Sequence, residues 1–460
     1  AGARSLGAST RLGCWLVAIS AHDYTTLADA APANMRARRA CLCFGLVVVL
    51  VAGLTTDNHK LNAPRSALMP IVIVPGTGGS QLEARLDKPS SPHWWCARQA
   101  DWFRLWLDTK ELLLDALTQC WADNIRLMWN ETAGAMQNAP GVETRTPDFG
   151  GVSAFSELDP SLPLHASSYF RDLIAALEAR GYVAGSSLLG APYDFRYAPS
   201  SKVGRRFTAD LRALLERARE ASGRPALLLA HSYGCLLSLH FLQGQSAAWK
   251  AKHVAGFVSA GGPYGGSAHE LVVLASGSNE GVATVHPLTI RHEQRTYESN
   301  HLMLPSPAVF GAAPLVTTPE RTYAPTQYAD FFADIGWRHG AQVYGQVRSL
   351  LRGFAPPGVP THCVYAVGQR TERNYTYGRG WPDAQPERVG HGDGDGTVNV
   401  ESAEVCRRWP GTNVTVLRGV AHMDIVKDGD FIAAVEALLA DVGAPPAEGV
   451  RAERGSEIAV

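Results

Sequence analysis

The sequence predicts an α/β fold with a mainly parallel sheet, and three observations support this prediction. Short apolar runs alternate along the chain with segments of helical periodicity, which is typical of a parallel sheet with helices on both faces. One apolar run, at residues 225–230, leads through a tight turn directly into a helical pattern. The 460 residues are 46% hydrophobic, which is enough for a large core.

The predicted elements follow in chain order. The helical segments before and after the central run are predicted at 169–180, 207–220 and 430–439. The stretch from about 267 to 355 loses the alternation, so we expect an insertion that caps the C-terminal edge of the sheet. One folded domain is expected over residues 65–444. The predicted strands are 69–74, 182–183, 225–230, 253–259, 362–367 and 414–417, with a turn-rich segment at 189–196.

The two ends of the chain are expected to lie outside this domain. Residues 35–54 have a basic start and an apolar centre, and the apolar run is short for a spanning helix, which needs about 20 residues. We interpret residues 35–57 as a signal peptide starting at Met35, with residues 1–34 as unfolded upstream or targeting sequence. A targeting peptide over 1–40 and an uncleaved signal anchor are the alternatives. Residues 445–460 are predicted to be a disordered tail.

Charge and cysteine content limit the partners and the compartment. The formal net charge is −1, which argues against a nucleic-acid partner or a polybasic membrane contact. The domain carries five cysteines, an odd number, so a secreted protein leaves one thiol free. Cys235 follows the central strand on a buried helix and is expected to be free, which leaves Cys96–Cys120 and Cys363–Cys406 as the simplest pairs. Glycosylation sequons, relevant along a secretory route, begin at Asn130, Asn374 and Asn413.

The turn after the central strand reads Ala230-His231-Ser232-Tyr233-Gly234. A serine held between a strand and a helix, with small residues two positions away on each side, is typical of a nucleophile elbow. The backbone N–H of Tyr233, directly after the serine, is then one donor of an oxyanion hole. The Gly-rich loop 75–80 after the first strand lacks the spacing of a phosphate or dinucleotide loop. We expect it to supply the second oxyanion donor.

An acid and a base follow in the order that this chemistry needs. Asp393 and Asp395 lie in a Gly-flanked loop after a strand, and either is a candidate acid. The alternative interpretation is a calcium-binding loop starting at Asp393. The sixth position of such a loop requires glycine, and here it is Val398. His422 lies between the last predicted strand and the last helix. The order serine, aspartate, histidine is that of α/β-hydrolases, and such chemistry needs no metal or cofactor.

Residues 94–129 hold six of the eleven tryptophans. One interpretation is a Trp-rich core, which accounts for part of them. The other is an exposed apolar patch, braced by Cys96–Cys120, that docks on a membrane surface.

Several long motifs resemble the lecithin:cholesterol acyltransferase family, most closely its lysosomal phospholipase A branch, over about residues 68–440. The resemblance implies an α/β-hydrolase fold with Ser232, Asp395 and His422 as the triad, both disulfides, and the cap over 267–355. One departure is Thr77 in the oxyanion loop, where the lysosomal branch has aspartate; a backbone N–H donor survives that change. The motifs are Pro75–Pro89, Cys120–Leu127, Gly190–Arg196, Ala230–Gly234, Phe331–Gly336 and Gly392–Val398.

The resemblance also implies a membrane-binding subdomain at about 94–130. The residues expected to contact lipid there are Trp94, Trp95, Trp102, Trp106, Leu112, Leu113 and Leu114.

The implied function is that of a serine phospholipase A and O-acyltransferase. It acts at a phospholipid membrane surface through peripheral association and passes the acyl group to water or a lipid alcohol. The expected compartment is the secretory pathway, ending in a lysosome or vacuole or outside the cell. Two alternatives stand beside it: a phospholipid:diacylglycerol acyltransferase anchored by residues 40–54, and an inactive lipid-binding protein.

Overall fold

The computed structural model describes residues 68–280 and 284–443. The chain divides into units 1–64 and 65–460, and all described residues belong to the second. The predicted upstream segment, the predicted signal peptide and the predicted tail at 445–460 lie outside the described residues. No helix in the described part of the chain combines the length and apolarity needed to cross a bilayer.

Fifteen strands form four sheets within the described ranges. They are β1 (Ile71–Val74), β2 (Leu82–Asp87), β3 (Gln99–Trp106), β4 (Leu127–Asn130), β5 (Ala135–Asn138), β6 (Val142–Arg145), β7 (Leu188–Gly190), β8 (Ala226–His231), β9 (Val254–Ala260), β10 (Val316–Thr317), β11 (Thr322–Tyr323), β12 (Thr361–Val367), β13 (Gln369–Thr376), β14 (Arg388–Gly394) and β15 (Thr412–Arg418).

The α-helices of the same ranges vary from single turns to 21 residues. They are α1 (Asp115–Ile125), α2 (Ser153–Ser156), α3 (Arg171–Ala179), α4 (Lys202–Ser222), α5 (Tyr233–Gln243), α6 (Ala247–His253), α7 (His269–Ala275), α8 (Pro287–Gln294), α9 (Glu298–Leu302), α10 (Pro307–Phe310), α11 (Tyr328–Asp334), α12 (Gly340–Val347), α13 (Val400–Ala403) and α14 (Gly429–Gly443). Short 3-10 helices lie at Pro163–His165, Arg352–Phe354, Glu404–Arg408 and His422–Lys427.

The central sheet has six strands in the order β15-β12-β9-β8-β1-β7. All five strand pairs are parallel, so the predicted mainly parallel sheet is confirmed. Alternate side chains of a strand point to opposite faces. Accordingly, Leu228 and Ala230 of β8 belong to one buried cluster, whereas Leu227 and Leu229 belong to another. Helices α4 and α5 pack in the first cluster, and α3 and α14 in the second, which gives the α/β-hydrolase fold its three layers.

One predicted strand is wrong. Residues 182 and 183 form no strand, and the strand of this region is β7, at Leu188–Gly190, within and beside the segment predicted to be a turn. The apolar pair Tyr182-Val183 indicated a strand, but Tyr182 is buried without belonging to one. Its hydroxyl donates to the backbone oxygen of Met69, 3.1 Å away. Strand β7 has only three residues, too few to show a pattern.

The predicted insertion at 267–355 contains helices α7 to α12 and the two short strands β10 and β11. It has its own buried cluster, which includes Leu271, Phe331 and Phe332 and continues onto Tyr375 of β13. Its first residue, Ser267, donates from its hydroxyl to the backbone oxygen of Thr397, 2.6 Å away. The insertion therefore starts beside the loop that follows β14. Its role as a cap stays a prediction.

The two expected disulfides are present. Cys96 is bonded to Cys120 of α1, with Cα atoms 5.3 Å apart. Cys363 of β12 is bonded to Cys406, with Cα atoms 5.7 Å apart. Cys235 is free and buried, and burial raises the pKa of its thiol to about 12.

We therefore expect peptide mapping of protein alkylated in denaturant, without reductant, to find the two linked pairs and label on Cys235. Alkylation of the folded protein should label Cys235 far more slowly, because the reactive species is the thiolate and the thiol is buried. A mixed disulfide involving Cys235 would contradict the pairing.

Candidate active site

The serine of the predicted elbow lies between β8 and α5. Ser232 has a φ of +54°, a region that residues other than glycine rarely occupy and that is common at strained functional turns. Its backbone N–H donates to Ala260 of the neighbouring strand, 2.9 Å away. Gly234 is needed here, because a β-carbon on it would lie 2.3 Å from the backbone oxygen of Pro75. The serine side chain is therefore held at the C-terminal edge of the sheet by its backbone.

The structure brings the predicted base onto this serine. His422 opens the 3-10 helix after β15, and its Nε2 lies 2.9 Å from Ser232 Oγ. Its Nδ1 lies 2.7 Å from Asp395 Oδ2. These two distances are those of a nucleophile, a base and an orienting acid within hydrogen-bonding reach of one another.

Both carboxylate oxygens of Asp395 are used. Oδ2 faces His422, and Oδ1 accepts from the backbone N–H groups of Thr397 and Val398 at 3.0 and 2.7 Å. The backbone oxygen of Asp395 also accepts from the His422 N–H at 2.8 Å. The carboxylate is 1% exposed. The loop after β14 therefore fixes both the acid and the chain that carries the histidine.

The alternative acid, Asp393, does not reach the histidine. Its side chain is exposed, and Oδ1 accepts from the backbone N–H groups of Gly368 and Gly394 at 2.6 and 2.8 Å. Asp393 therefore joins the start of the loop after β14 to Gly368, and it lies two residues before Asp395. The geometry thus separates the two candidates that the sequence motif left open.

The Gly-rich loop after β1 lies against the serine. A β-carbon on Gly76 would lie 3.3 Å from Ser232 Oγ, and Gly79 N–H donates to Gly76 O at 3.1 Å. Thr77 follows and is exposed. The backbone N–H groups of Thr77 and Tyr233 make no hydrogen bond to another group among the described residues. Tyr233 begins α5, and the first N–H groups of a helix have no partner within the helix.

Trp106 was predicted to contact membrane lipid; the structure places it half-buried, packed behind the Gly-rich loop. Its ring packs 5.6 Å from that of Phe195 and 6.1 Å from that of Trp121, between centroids. Its indole N–H donates to the backbone oxygen of Gly78 at 2.6 Å. Trp106 is therefore a support of the Gly-rich loop, placed there because β3 pairs with β2 close behind that loop.

Leu112 was also predicted to contact lipid, and the structure corrects this. It is 4% exposed and belongs to the same buried cluster as Leu105 and Trp121, so it is a core residue. Three consecutive leucines at 112–114 cannot all face one side of the chain, and the first of them faces inward.

Trp102, another of the predicted lipid contacts, is half-buried, and the guanidinium carbon of Arg145 lies 4.1 Å from the centre of its ring.

The other predicted lipid contacts form an exposed apolar patch. Trp94 is 91% exposed, and Leu113 and Leu114 are 58% and 61% exposed. Trp95 is held beside α1 by its indole N–H, which donates to Ala116 O at 3.2 Å. Leu117, the third residue of α1, is also exposed, and it was not among the predicted lipid contacts. We call Trp94, Trp95, Leu113, Leu114 and Leu117 the apolar patch; Cys96–Cys120 ties its two segments together.

Two buried residues at the site were also missed, Tyr169 and His231. Tyr169 Oη lies 2.5 Å from His231 Nδ1, and His231 Nε2 lies 3.0 Å from the backbone oxygen of His422. His231 was visible only as the residue before the serine, and nothing in the sequence around Tyr169 indicated its position.

The remaining predicted sites are at the surface. Asn374 and Asn413 are exposed, and Asn130 is half-buried with its side chain bonded to Gln137 at 3.0 Å. Within the part of the chain that the structure describes, no group of three or more His, Cys, Asp or Glu residues is arranged to hold a metal ion.

Comparison with known proteins places these residues in a family. The family model described as lecithin:cholesterol acyltransferase matches residues 102–344 and 352–429. Lecithin-cholesterol acyltransferase-like 1 of Arabidopsis thaliana is 40% identical over 403 residues, covering 83% of this chain and 92% of that protein.

Two human proteins are similar over the same region. Lysosomal phospholipase A and acyltransferase is 38% identical over 402 residues, covering 86% of this chain and 96% of the relative. Phosphatidylcholine-sterol acyltransferase is 36% identical over 403 residues, covering 86% of this chain and 90% of the relative. The chain belongs to the lecithin:cholesterol acyltransferase family.

Proposed function

We propose that this protein is a serine phospholipase A and O-acyltransferase that cleaves a fatty acyl ester of membrane phospholipids through an acyl-enzyme on Ser232. The observation that carries the proposal is the pair of short contacts at His422: Nε2 is 2.9 Å from Ser232 Oγ, and Nδ1 is 2.7 Å from Asp395 Oδ2. The names of the relatives supply the substrate class, since they include phospholipase A and phosphatidylcholine-sterol acyltransferase activities.

The first half of the reaction forms the acyl-enzyme. His422 Nε2 takes the hydroxyl proton as Ser232 Oγ bonds to the ester carbonyl carbon, and the carbonyl oxygen becomes an oxyanion. Asp395 holds the Nδ1–H tautomer and stabilises the imidazolium. When the oxyanion collapses, the bond to the glycerol oxygen breaks, and His422 returns its proton to that oxygen. The lysophospholipid leaves.

The second half repeats these steps with a different nucleophile. Water or a lipid alcohol gives its proton to His422 and attacks the acyl carbonyl, which releases a fatty acid or a new ester and restores Ser232. The N–H groups of Thr77 and Tyr233 are the oxyanion donors in both halves. Removal of one such donor costs roughly 3 kcal/mol of transition-state stabilisation.

The enzyme must reach an acyl chain inside a bilayer, and the apolar patch suits that task. The net charge of −1 gives little electrostatic attraction, so docking depends on apolar area. At about 25 cal/mol per Å² of buried apolar surface, a few aromatic and leucine side chains give several kcal/mol. Membrane association through Trp94, Trp95, Leu113, Leu114 and Leu117 is therefore part of the proposal.

We expect the double variant Leu113→Ser and Leu114→Ser to sediment with phosphatidylcholine liposomes at least about tenfold less, with a matching fall in activity on liposomes. Loss of two exposed leucines removes a few kcal/mol of transfer free energy at most. Turnover of a soluble short-chain ester should stay near normal, because neither residue contacts the triad.

Val183→Ser is the matched control. Val183 is 59% exposed but lies beside Tyr182, which bonds to the chain before β1, at the opposite edge of the sheet from Ser232. This variant should bind and act on liposomes normally. Equal losses on liposomes and on the soluble ester in the double variant would show that the leucines serve the fold instead.

The compartment belongs to the proposal as well. Two disulfides and exposed sequon asparagines suit the oxidising secretory route, and the human relatives include a protein named as lysosomal. We propose passage through the secretory pathway to a lysosome or vacuole, or secretion.

Product analysis tests the proposed function directly. Liposomes of phosphatidylcholine with a labelled acyl chain should release lysophospholipid together with labelled fatty acid. Added long-chain alcohol should divert label into its ester at the expense of the fatty acid, because both products come from one acyl-enzyme. Absence of lysophospholipid and of Ser232 labelling by a fluorophosphonate would point to an inactive lipid-binding protein and sink the proposal.

A further inference from the structure

Tyr169 lies beneath the Gly-rich loop and bonds to it. Its hydroxyl oxygen accepts from the backbone N–H of Gly76 at 3.0 Å. Its ring fills the space inside the loop, because a β-carbon on Gly79 would lie 2.6 Å from Tyr169 Cε1 and one on Gly76 would lie 3.0 Å from its Oη. Tyr169 is 1% exposed. The loop therefore takes its position from this side chain.

The same hydroxyl connects the loop to the histidine of the triad. Tyr169 Oη is 2.5 Å from His231 Nδ1, and His231 Nε2 is 3.0 Å from the backbone oxygen of His422. A carbonyl oxygen only accepts, so His231 Nε2 carries a proton. In a neutral imidazole Nδ1 then accepts, and the tyrosine O–H donates to it. Each donor in the chain from Gly76 to His422 thus has one acceptor.

His231 stays neutral during the reaction. It is fully buried, and burial together with the nearby charge of His422 lowers its pKa well below the usual range. Its ring centroid is 4.8 Å from that of His422. The proton that His422 takes from Ser232 therefore remains on His422, and His231 keeps the single tautomer that the hydrogen bonds require.

We propose that Tyr169 and His231 are positioning residues that hold the oxyanion loop and the backbone of His422 in register with Ser232. They touch no reacting atom. Tyr169 fixes the position of the loop through its bond to Gly76, the neighbour of Thr77. His231 fixes the position of His422 through its bond to the backbone oxygen of His422. The inference rests on the proposed function in that it takes Ser232 and Thr77 as the nucleophile and an oxyanion donor.

Tyr169→Phe tests this with the ring retained and only the hydroxyl lost. On a soluble short-chain ester, we expect kcat to fall roughly ten- to hundredfold with KM almost unchanged, because a small displacement of an oxyanion donor weakens binding of the transition state alone. Affinity for a boronic acid that mimics the tetrahedral intermediate should fall by the same factor.

Tyr182→Phe is the matched control. Tyr182 lies in the same buried cluster as Tyr169. Tyr182→Phe loses one buried hydrogen bond, to Met69 O at 3.1 Å, whereas Tyr169→Phe loses two, with Gly76 N–H and His231 Nδ1. The melting temperature of Tyr182→Phe should fall, by less than that of Tyr169→Phe, with kcat unchanged. A kcat for Tyr169→Phe within twofold of that for Tyr182→Phe would overturn the inference.

His231 gives a second test should Tyr169→Phe fold poorly. His231→Gln keeps one acceptor and one donor, and we expect it to retain more kcat than His231→Leu; equal losses would contradict the inference. The soluble ester keeps the two proposals apart. A wild type that cleaves this ester but no phospholipid would sink the proposed function, while the tyrosine variants would still decide the role of Tyr169.

Discussion

The Ser232→Ala variant should lose at least about 10⁴-fold of the wild-type phospholipid deacylation, since no other group replaces the nucleophile. His422→Ala should lose a similar factor. The two losses should not add in the double variant, because the nucleophile and its base act as one unit. Ser232 Oγ lies 2.9 Å from His422 Nε2. Initial rates of lysophospholipid release, measured by mass spectrometry, check this.

Both variants should keep the wild-type fold. Ser232 makes no side-chain cap of α5, and its backbone bond to Ala260 does not depend on the hydroxyl. Circular dichroism and the melting temperature serve as the control. A folded Ser232→Ala protein that still releases lysophospholipid at more than about 1% of the wild-type rate would place the nucleophile elsewhere.

Asp395→Asn has the second largest expected effect, about 10⁴-fold in kcat. Oδ1 would still accept from Thr397 and Val398 N–H, so the amide nitrogen would occupy the place of Oδ2 and donate to His422 Nδ1. The histidine would then carry its proton on Nε2, which faces Ser232, and could not act as a base. The variant should fold normally, with KM little changed.

Asp393→Asn is the matched control, two residues away in the same loop. Its amide oxygen still accepts from the Gly368 and Gly394 N–H groups, and its side chain is exposed. We expect kcat to stay within a few-fold of wild type. If Asp393→Asn were the crippling change, the assignment of the acid would be wrong.

Most of the fold and the elbow could be predicted from local patterns. Strand β8, the turn at Ser232 and helix α5 are contiguous, and their residue types carry the signal within 20 positions. Strand β7 could not be found because three residues carry no periodicity. The sequence also could not show which of Leu112, Leu113 and Leu114 is buried. That depends on which side of the chain packs against Leu105 and Trp121.

The supports of the site come from distant parts of the chain. Trp106 reaches the Gly-rich loop from β3, and Tyr169 reaches His231 from 62 positions away. Neither residue lies in a motif that indicates such a contact. Composition drew attention to Trp106 only as one of many tryptophans and did not indicate its bond to Gly78. The motif residues that we propose as catalytic could therefore be identified in the sequence, whereas the residues that we propose to position them required the structure.

The acyl-enzyme itself is the most direct test of the central claim. Protein mixed with phosphatidylcholine liposomes carrying an isotope-labelled acyl chain should be quenched in acid during turnover and digested for peptide mass spectrometry. We predict the labelled acyl group on the peptide containing Ser232, at higher occupancy when water is the only acceptor than when a long-chain alcohol is present. A labelled acyl group on any other residue, or turnover without a covalent adduct on Ser232, would contradict the account.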